Sequence, residues 1–216
     1  MIQTAAIAFA TFFATIGPID VAAMFTAITS NSKPAHRRAM AIKGTLVATG
    51  ILVAFALIGE ALLAYLGISL AALRTAGGIL LLLISIDMVF ARSSGGVSTT
   101  ADESQEAKAK ADISVFPLAT PLIAGPGAMG AAILLIANTQ GRFVLQLMVI
   151  AAMLAVLLIT FLALIGASYL QKLLGVTGLH VVTRVFGVLL AALAVQFIFD
   201  GISQSGLFTA LGTTLV

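Results

Sequence analysis

The chain contains no cysteine and no tryptophan, has only two histidines, and carries few charged residues of either sign. The absence of cysteine excludes a disulfide framework, a thiolate nucleophile and a cysteine-based metal site. His36 and His180 lie far apart in the sequence, so a transition-metal site is not expected. The basic residues do not cluster on a polar domain, which argues against nucleic acid as a partner. The sequence thus predicts neither a metal nor another cofactor.

Long apolar segments are what the chain does have. Hydrophobic residues make up 61% of its 216 residues and charged residues 9%, whereas soluble domains carry about 25% charged residues. One packed core could not hide this much apolar surface, so lipid must surround the outer faces. Six segments reach the length of about 20 residues that a transmembrane helix needs. These segments are 2–30, 41–66, 70–91, 113–137, 143–173 and 181–202. They are too long, and alternate too little, for barrel strands, so we predict an all-α membrane protein of six spans.

The positive charges predict the orientation in the membrane. Lysine and arginine are enriched in cytoplasmic loops, and most of them fall on one side if both termini lie outside. Only Arg74 and Arg142 then lie at the outer face, whereas Arg184 opens the sixth span on the inner side. We therefore expect an inner-membrane protein with periplasmic termini. A polar cytoplasmic linker is expected at 92–112 and a short C-terminal tail at 204–216.

The segments 1–91 and 113–203 share landmarks in the same order and at nearly the same separation. The matched pairs are Gly17-Pro18 with Gly125-Pro126, Gly67 with Gly175, and Arg74-x-x-Gly77 with Arg184-x-x-Gly187. Gly67 and Gly175 are each expected to end a helix. Since each half holds three spans, the second half must enter from the opposite side, which predicts two inverted three-helix repeats. Inverted repeats are common in secondary transporters. A duplication that serves structure alone is the alternative.

Both Gly-Pro pairs fall near the middle of a span. Proline deletes a backbone hydrogen bond and clashes with the preceding turn, so we predict that the first and fourth helices are broken there. A half-helix that starts inside the membrane points free N–H groups at the solute path and favours an anionic group, such as a carboxylate. The substrate-binding candidates are Thr15, Gly17, Pro18, Asp20, Thr120, Gly125, Pro126 and Gly127. Close helix packing is the other explanation for the small residues at these breaks.

Charges at membrane depth are costly and are usually functional. Asp20 lies just after the first break and Glu60 in the second span, so both are candidates for ion coupling, to protons or sodium. Asp20 would otherwise be a simple N-terminal helix acid, and Glu60 an interfacial carboxylate. Arg74 and Arg184 are expected to anchor helix ends rather than to bind substrate. Pro117 and Pro121 predict a further bend in the fourth span.

At these motifs the sequence resembles the MarC family, also called the neutral amino acid transporter (SnatA-like) family. The resemblance covers about residues 1–203 and is carried by 117–128, 73–79, 183–187 and 195–198. It implies six helices of inverted topology and the export or exchange of small neutral amino acids such as glycine and alanine. One motif differs. Family members usually carry Asn or Asp before the first-span proline, a glycine two residues after it and a second proline later. Here Gly17, Asp20 and Ala23 stand in those places.

The expected function is therefore secondary transport of a small neutral amino acid within a lipid bilayer. Export of another small metabolite or ion is the alternative within transport. Outside transport, the alternatives are a membrane-embedded enzyme or an assembly protein. An enzyme is not expected, because the sequence has no Ser-His-Asp set, HExxH motif or carboxylate pair at a suitable spacing. The sequence is also compatible with a homo-oligomer.

Overall fold

The computed structural model describes residues 2–29, 32–90 and 112–205. Within these ranges every regular element is a helix. The predicted linker at 92–112 lies outside the described residues except for Asp112, as does the predicted tail beyond Ser205.

The described part of the chain folds into seven helical segments. They are α1 (Ile2–Ile16), α2 (Pro18–Ile28), α3 (Pro34–Tyr65), α4 (Leu70–Phe90), α5 (Ser114–Ile123), α6 (Pro126–Ala137) and α7 (Phe143–Gln204). Five stretches are long and apolar enough to cross a membrane, and α5 with α6 makes a sixth if this bent pair counts as one span. The first of the five combines α1 with most of α2, and α7 contains two, Phe143–Gly166 and Arg184–Gln204. The predicted all-helical architecture is confirmed for the described residues, which contain five candidate spans, or the predicted six when the bent pair is counted.

α3 shows where hydropathy and helix boundaries differ. The apolar segment starts at residue 41, but the helix starts at Pro34, a residue type favoured in the first turn. Arginine and lysine are good helix formers, so the charged turn before the apolar segment stays helical. At the other end, Gly67 has a φ of +68° and the Ile68 amide donates to the Leu63 carbonyl at 2.9 Å. This is a glycine-terminated helix end, as predicted for Gly67.

The matching prediction for Gly175 is wrong. The backbone of α7 is helical from Phe143 to Gln204, so no helix ends at Gly175. The sequence between the two spans of α7 contains glycine but no proline. Glycine lowers helix stability by about 1 kcal/mol, whereas proline removes a hydrogen bond and costs about 3 kcal/mol. Glycine alone did not end the helix here.

α4 packs antiparallel to the last span of α7 through glycines. A β-carbon at Gly78 would lie 2.7 Å from Ile198 Cγ1, and one at Gly187 would lie 2.9 Å from Met88 Cβ. Small residues allow helix backbones to approach closely inside a bilayer. The two contacts are reciprocal, because Gly78 of α4 meets Ile198 near the end of the last span of α7, and Gly187 near the start of that span meets Met88 near the end of α4. This pairing is consistent with an inverted repeat.

The first span lies inside the bundle, whereas α3 lies at its periphery. In the apolar part of the span Ile2–Thr26, 56% of the residues are buried, whereas in the apolar part of Pro34–Tyr65 only 22% are buried. Phe12 and Ile16 of α1, with Leu122 and Ile123 of α5, are among the largest fully buried side chains. The chain segments that flank both Gly-Pro pairs therefore form the centre of the protein.

Candidate functional site at the two helix breaks

The first break is a single residue wide. Gly17 separates α1 from α2 with a left-handed backbone, φ 61° and ψ 62°, which glycine adopts without steric strain. The Gly17 amide still donates to the Phe13 carbonyl at 3.0 Å, and the Val21 amide donates to the Gly17 carbonyl at 2.9 Å. Pro18 then occupies the first turn of α2. The helix is thus interrupted as predicted, while the two parts continue as one span.

The predicted side chains at this break differ in exposure. Thr15 is 2% exposed, and its hydroxyl donates to the Thr11 carbonyl at 2.8 Å. This bond uses the proton of Thr15 and leaves its oxygen as an acceptor. Gly17 and Pro18 are buried, whereas Asp20 is half-buried in the first turn of α2.

The second break is longer and bent. In α5, Phe116 and Thr120 have extended backbones, as expected of residues that precede proline, and this confirms the predicted bend at Pro117 and Pro121. The Ala124 amide donates to the Ala119 carbonyl at 2.8 Å, a wider turn than that of an α-helix. Gly125 is extended, and α6 starts at Pro126 with its axis 55° from that of α5.

Side chains at the second break also vary in exposure. Gly125 and Gly127 are buried, Thr120 is half-buried and Pro126 is exposed. The Thr120 hydroxyl donates to the Val115 carbonyl at a long 3.4 Å. No side chain caps α6 at Gly125, or α2 at Gly17. The first N–H groups of both helices lack carbonyl partners in their own helix, so each helix start can donate to an anionic group.

The two breaks meet through Thr15 and Gly127. A β-carbon at Gly127 would lie 4.0 Å from Thr15 Cβ and 2.5 Å from Ile84 Cδ1. The last turn of α1 and the first turn of α6 are therefore in direct contact, with α4 closing one side. Of the predicted residues, the structure brings together Thr15 and Gly127, each within two residues of a buried break glycine.

Comparison with known proteins gives the family. The model of the MarC family integral membrane proteins matches residues 2–205. A UPF0056 membrane protein of Methanocaldococcus jannaschii is 38% identical over 199 residues, which cover 91% of this chain and 94% of that relative. UPF0056 membrane protein YvbG of Bacillus subtilis is 36% identical over 205 residues, which cover 94% of this chain and 95% of the relative. No solved structure matches.

The chain belongs to the MarC family. It is an integral, multi-pass membrane protein, and lipid surrounds its apolar outer faces.

Glu60 of this MarC protein lies on α3, away from both helix breaks. The preceding residue, Gly59, packs against Ile133 of α6, which turns Glu60 to the exposed side of α3. No hydrogen bond or ion pair joins Glu60 to any described residue. Of the two acids considered for ion coupling, only Asp20 therefore adjoins a break.

Sequence reasoning missed a polar cluster around Arg74. This residue is 8% exposed. Its Nε donates to Asn138 Oδ1 at 2.5 Å, and its Nη1 donates to Gln204 Oε1. The only signal in the sequence was an arginine close to the start of an apolar helix. Its partners are 64 and 130 residues away along the chain, so local pattern could not identify them.

Proposed function

We propose that this MarC protein is a secondary transporter that exports or exchanges small neutral amino acids, such as glycine and alanine, by alternating access. The solute crosses the membrane without chemical change. The observation that carries the proposal is the contact between Thr15 and Gly127, because it joins two interrupted helices in the interior of a membrane protein. Irregular backbone at membrane depth is tolerated where protein or a polar path satisfies it, and transporters bind solutes at such interruptions.

A zwitterionic amino acid matches the groups at the breaks. Its carboxylate would accept hydrogen bonds from the first N–H groups of α2 and α6, where the helix dipoles favour negative charge. Its ammonium would donate to the carboxylate of Asp20, to the hydroxyls of Thr15 and Thr120, or to carbonyls near Gly17 and Gly125. The break glycines are buried, and a β-carbon at Gly127 would already lie 2.5 Å from Ile84 Cδ1. Such close packing would exclude large side chains, which favours glycine and alanine over larger amino acids.

Asp20 is the first candidate for coupling transport to protons or sodium, because it is half-buried in the first turn of α2, next to the first break. Glu60 is the second candidate, and its exposed position on α3 would make it act from the periphery of the bundle. The exposed apolar residues around Glu60, including Leu57, Ile58 and Leu62, would face lipid or a second copy of the chain. We propose an inner-membrane location with both termini periplasmic, on the basis of the lysine and arginine distribution.

Counterflow in proteoliposomes tests the proposal. Purified protein is reconstituted in vesicles loaded with unlabelled alanine, and uptake of labelled alanine or glycine is measured against protein-free vesicles. Gly127→Val places methyl groups against Thr15 and Ile84, whereas the matched variant Gly130→Val starts from a position where a β-carbon meets nothing within 4 Å. Overpacking costs about 1–3 kcal/mol, and a barrier raised by that amount slows counterflow by about 5-fold to about 150-fold.

The expected result is counterflow by the parent protein and by Gly130→Val, with strong loss in Gly127→Val at an unchanged yield of folded protein. Failure of the parent protein to exchange glycine or alanine would reject the proposed substrate. Equal losses in both variants would reject the contact between the breaks as the solute path.

A further inference from the structure

Arg74 is a buried arginine whose two hydrogen-bond partners both belong to the other half of the chain. Arg74 lies on α4, Asn138 follows the last residue of α6, and Gln204 is the last residue of α7. Its Nε and Nη1 each donate to one of the two amide oxygens. The described residues place no carboxylate within ion-pair distance of the guanidinium. The cluster thus connects the two halves through one charge and two neutral acceptors.

The helix ends around Arg74 suit a cation. Helix C-termini carry partial negative charge that favours positive groups, and both partners of Arg74 stand at such ends. A charged donor makes stronger hydrogen bonds than a neutral one. Because neither acceptor is charged, separating the cluster leaves no buried carboxylate without a partner. These contacts can hold three helix ends together and can still open.

Arg184 has the corresponding place in the second half but a different environment. Both arginines stand three residues before a buried glycine, Gly77 or Gly187. Arg184 is exposed, and no described residue forms a hydrogen bond or ion pair with it. In an inverted repeat the two arginines lie at opposite ends of the bundle. Arg74 is therefore hydrogen-bonded at its end of the bundle, whereas Arg184 is exposed and forms no hydrogen bond with a described residue at the other end.

We propose that Arg74, Asn138 and Gln204 form a latch that closes one end of the solute path, and that Arg184 closes the opposite end in the alternate state. This inference rests on the proposed transport function, because it assigns the two states of alternating access. Loss of Arg74 shifts the equilibrium towards the state that is open at its end. Loss of Arg184 shifts the equilibrium towards the state that is open at the Arg184 end. The equilibrium stays unchanged if the Arg74 latch already keeps nearly all molecules in that state.

The absence of native cysteine allows a clean test by single-cysteine labelling. Thr139 is buried beside Asn138, and its hydroxyl donates to the Ile136 carbonyl. Thr160 in the first span of α7 is the matched control, because it is equally buried and donates to the Val156 carbonyl. Thr139→Cys and Thr160→Cys are each combined with Arg74→Gln or Arg184→Gln. The rate of reaction with a membrane-impermeant maleimide is then measured in detergent and in proteoliposomes.

Arg74→Gln is expected to raise the labelling rate of Thr139→Cys by about tenfold, because removal of two charge-assisted hydrogen bonds repopulates the open state. Arg184→Gln should leave this rate unchanged or lower it, and Thr160→Cys should stay unreactive throughout. If Arg74→Gln does not fold, Gln204→Ala removes one partner at an exposed helix end and should give a smaller rise.

Three outcomes would overturn the latch. They are an unchanged Thr139→Cys rate in the Arg74 and Gln204 variants, an equal rise at Thr160→Cys, and the same rise with Arg184→Gln. The assay uses no solute, so its result is separate from that of alanine counterflow. Faster labelling without counterflow would reject the amino acid substrate and retain the latch.

Discussion

Gly201 of α7 lies directly against the backbone of Thr75 in α4. A β-carbon at position 201 would come within 2.7 Å of the Thr75 amide nitrogen and 2.8 Å of the Ala71 carbonyl oxygen. These neighbours are backbone atoms, which cannot swing aside as a side-chain tip can. The last span of α7 therefore approaches the start of α4 so closely that only glycine fits at position 201.

This contact predicts the effect of adding one methyl group at Gly201. Gly201→Ala must push the two helices apart, which should lower the free energy of unfolding in detergent by about 1–3 kcal/mol. Gly50→Ala is the control, because a β-carbon at exposed Gly50 meets nothing within 4 Å. Alanine there should be neutral or slightly stabilising, since it forms helix better than glycine. Thermal unfolding of both variants measures the difference, and equal shifts would contradict the close contact.

A second prediction concerns the left-handed residue at the first break. Gly17→Ala should destabilise the protein by about 1–2 kcal/mol, because a β-carbon in the left-handed region approaches the next carbonyl. Gly17→Asn should lose less, because asparagine tolerates this conformation. The two variants are compared by thermal unfolding. An alanine variant as stable as the asparagine variant would show that the left-handed conformation of Gly17 does not persist.

The left-handed backbone also explains a difference from the family motif. The resemblance to the MarC family implies Asn or Asp before the first-span proline, and both belong to the few non-glycine types that adopt this conformation. Gly17 therefore preserves the backbone geometry and omits the polar side chain. The side-chain chemistry of the break is then left to neighbours such as Thr15 and Asp20.

Much of the fold could be predicted from the sequence because lipid imposes strong local rules. A run of apolar residues must be a helix to satisfy its backbone in hydrocarbon, and proline after glycine marks an interruption within it. Hydropathy did not predict that α3 starts at Pro34, nor that the helix continues through Gly175. Hydropathy reports where lipid lies, whereas helix ends depend on capping and on tertiary contacts.

The contacts of the candidate site could be predicted only in part. The Gly-Pro pairs located both breaks, but only the tertiary structure brings Gly127 against Thr15 and Ile84. The Arg74 cluster needs partners from helix ends far along the chain. Such contacts depend on how helices pack, which periodicity in a single sequence does not specify.

A third prediction concerns the ion pair before the second break. Asp112 accepts hydrogen bonds from Lys43 Nζ at 2.7 Å and from the Ser114 amide at 2.9 Å. The hydrogen bonds from Lys43 and Ser114 hold the pKa of the Asp112 carboxyl well below its ordinary value of 3.8. A lowered pKa stabilises the fold above the ordinary value, and this contribution is lost as the pH falls towards the lowered pKa. Both partners are about half exposed, so the contribution is at most about 1 kcal/mol.

Asp112→Asn isolates the charge, because asparagine can still accept the hydrogen bond from the Ser114 amide. At neutral pH the variant should have a lower free energy of unfolding than the parent. This difference in free energy should narrow as the pH falls from about 5 towards about 2. Salt should also narrow the gap by screening an exposed pair. Denaturant unfolding in detergent at several pH values measures the difference in free energy of unfolding between the variant and the parent. A gap that is the same at every pH would assign the effect to something other than the charge.

The last prediction uses a hydroxyl without a partner. Thr45 Oγ1 on α3 is fully buried and forms no hydrogen bond within the described part of the chain, and a buried unsatisfied polar group costs about 1–3 kcal/mol. Valine has nearly the same shape, so Thr45→Val should raise the unfolding temperature in detergent. Thr49→Val is the control, because the Thr49 hydroxyl already donates to the Thr45 carbonyl at 2.8 Å, and it should be close to neutral. An unfolding temperature that is unchanged or lowered in Thr45→Val would contradict the prediction. If Thr45→Val stabilised the fold and also slowed alanine counterflow, the hydroxyl would serve the solute, and α3 would line the solute path.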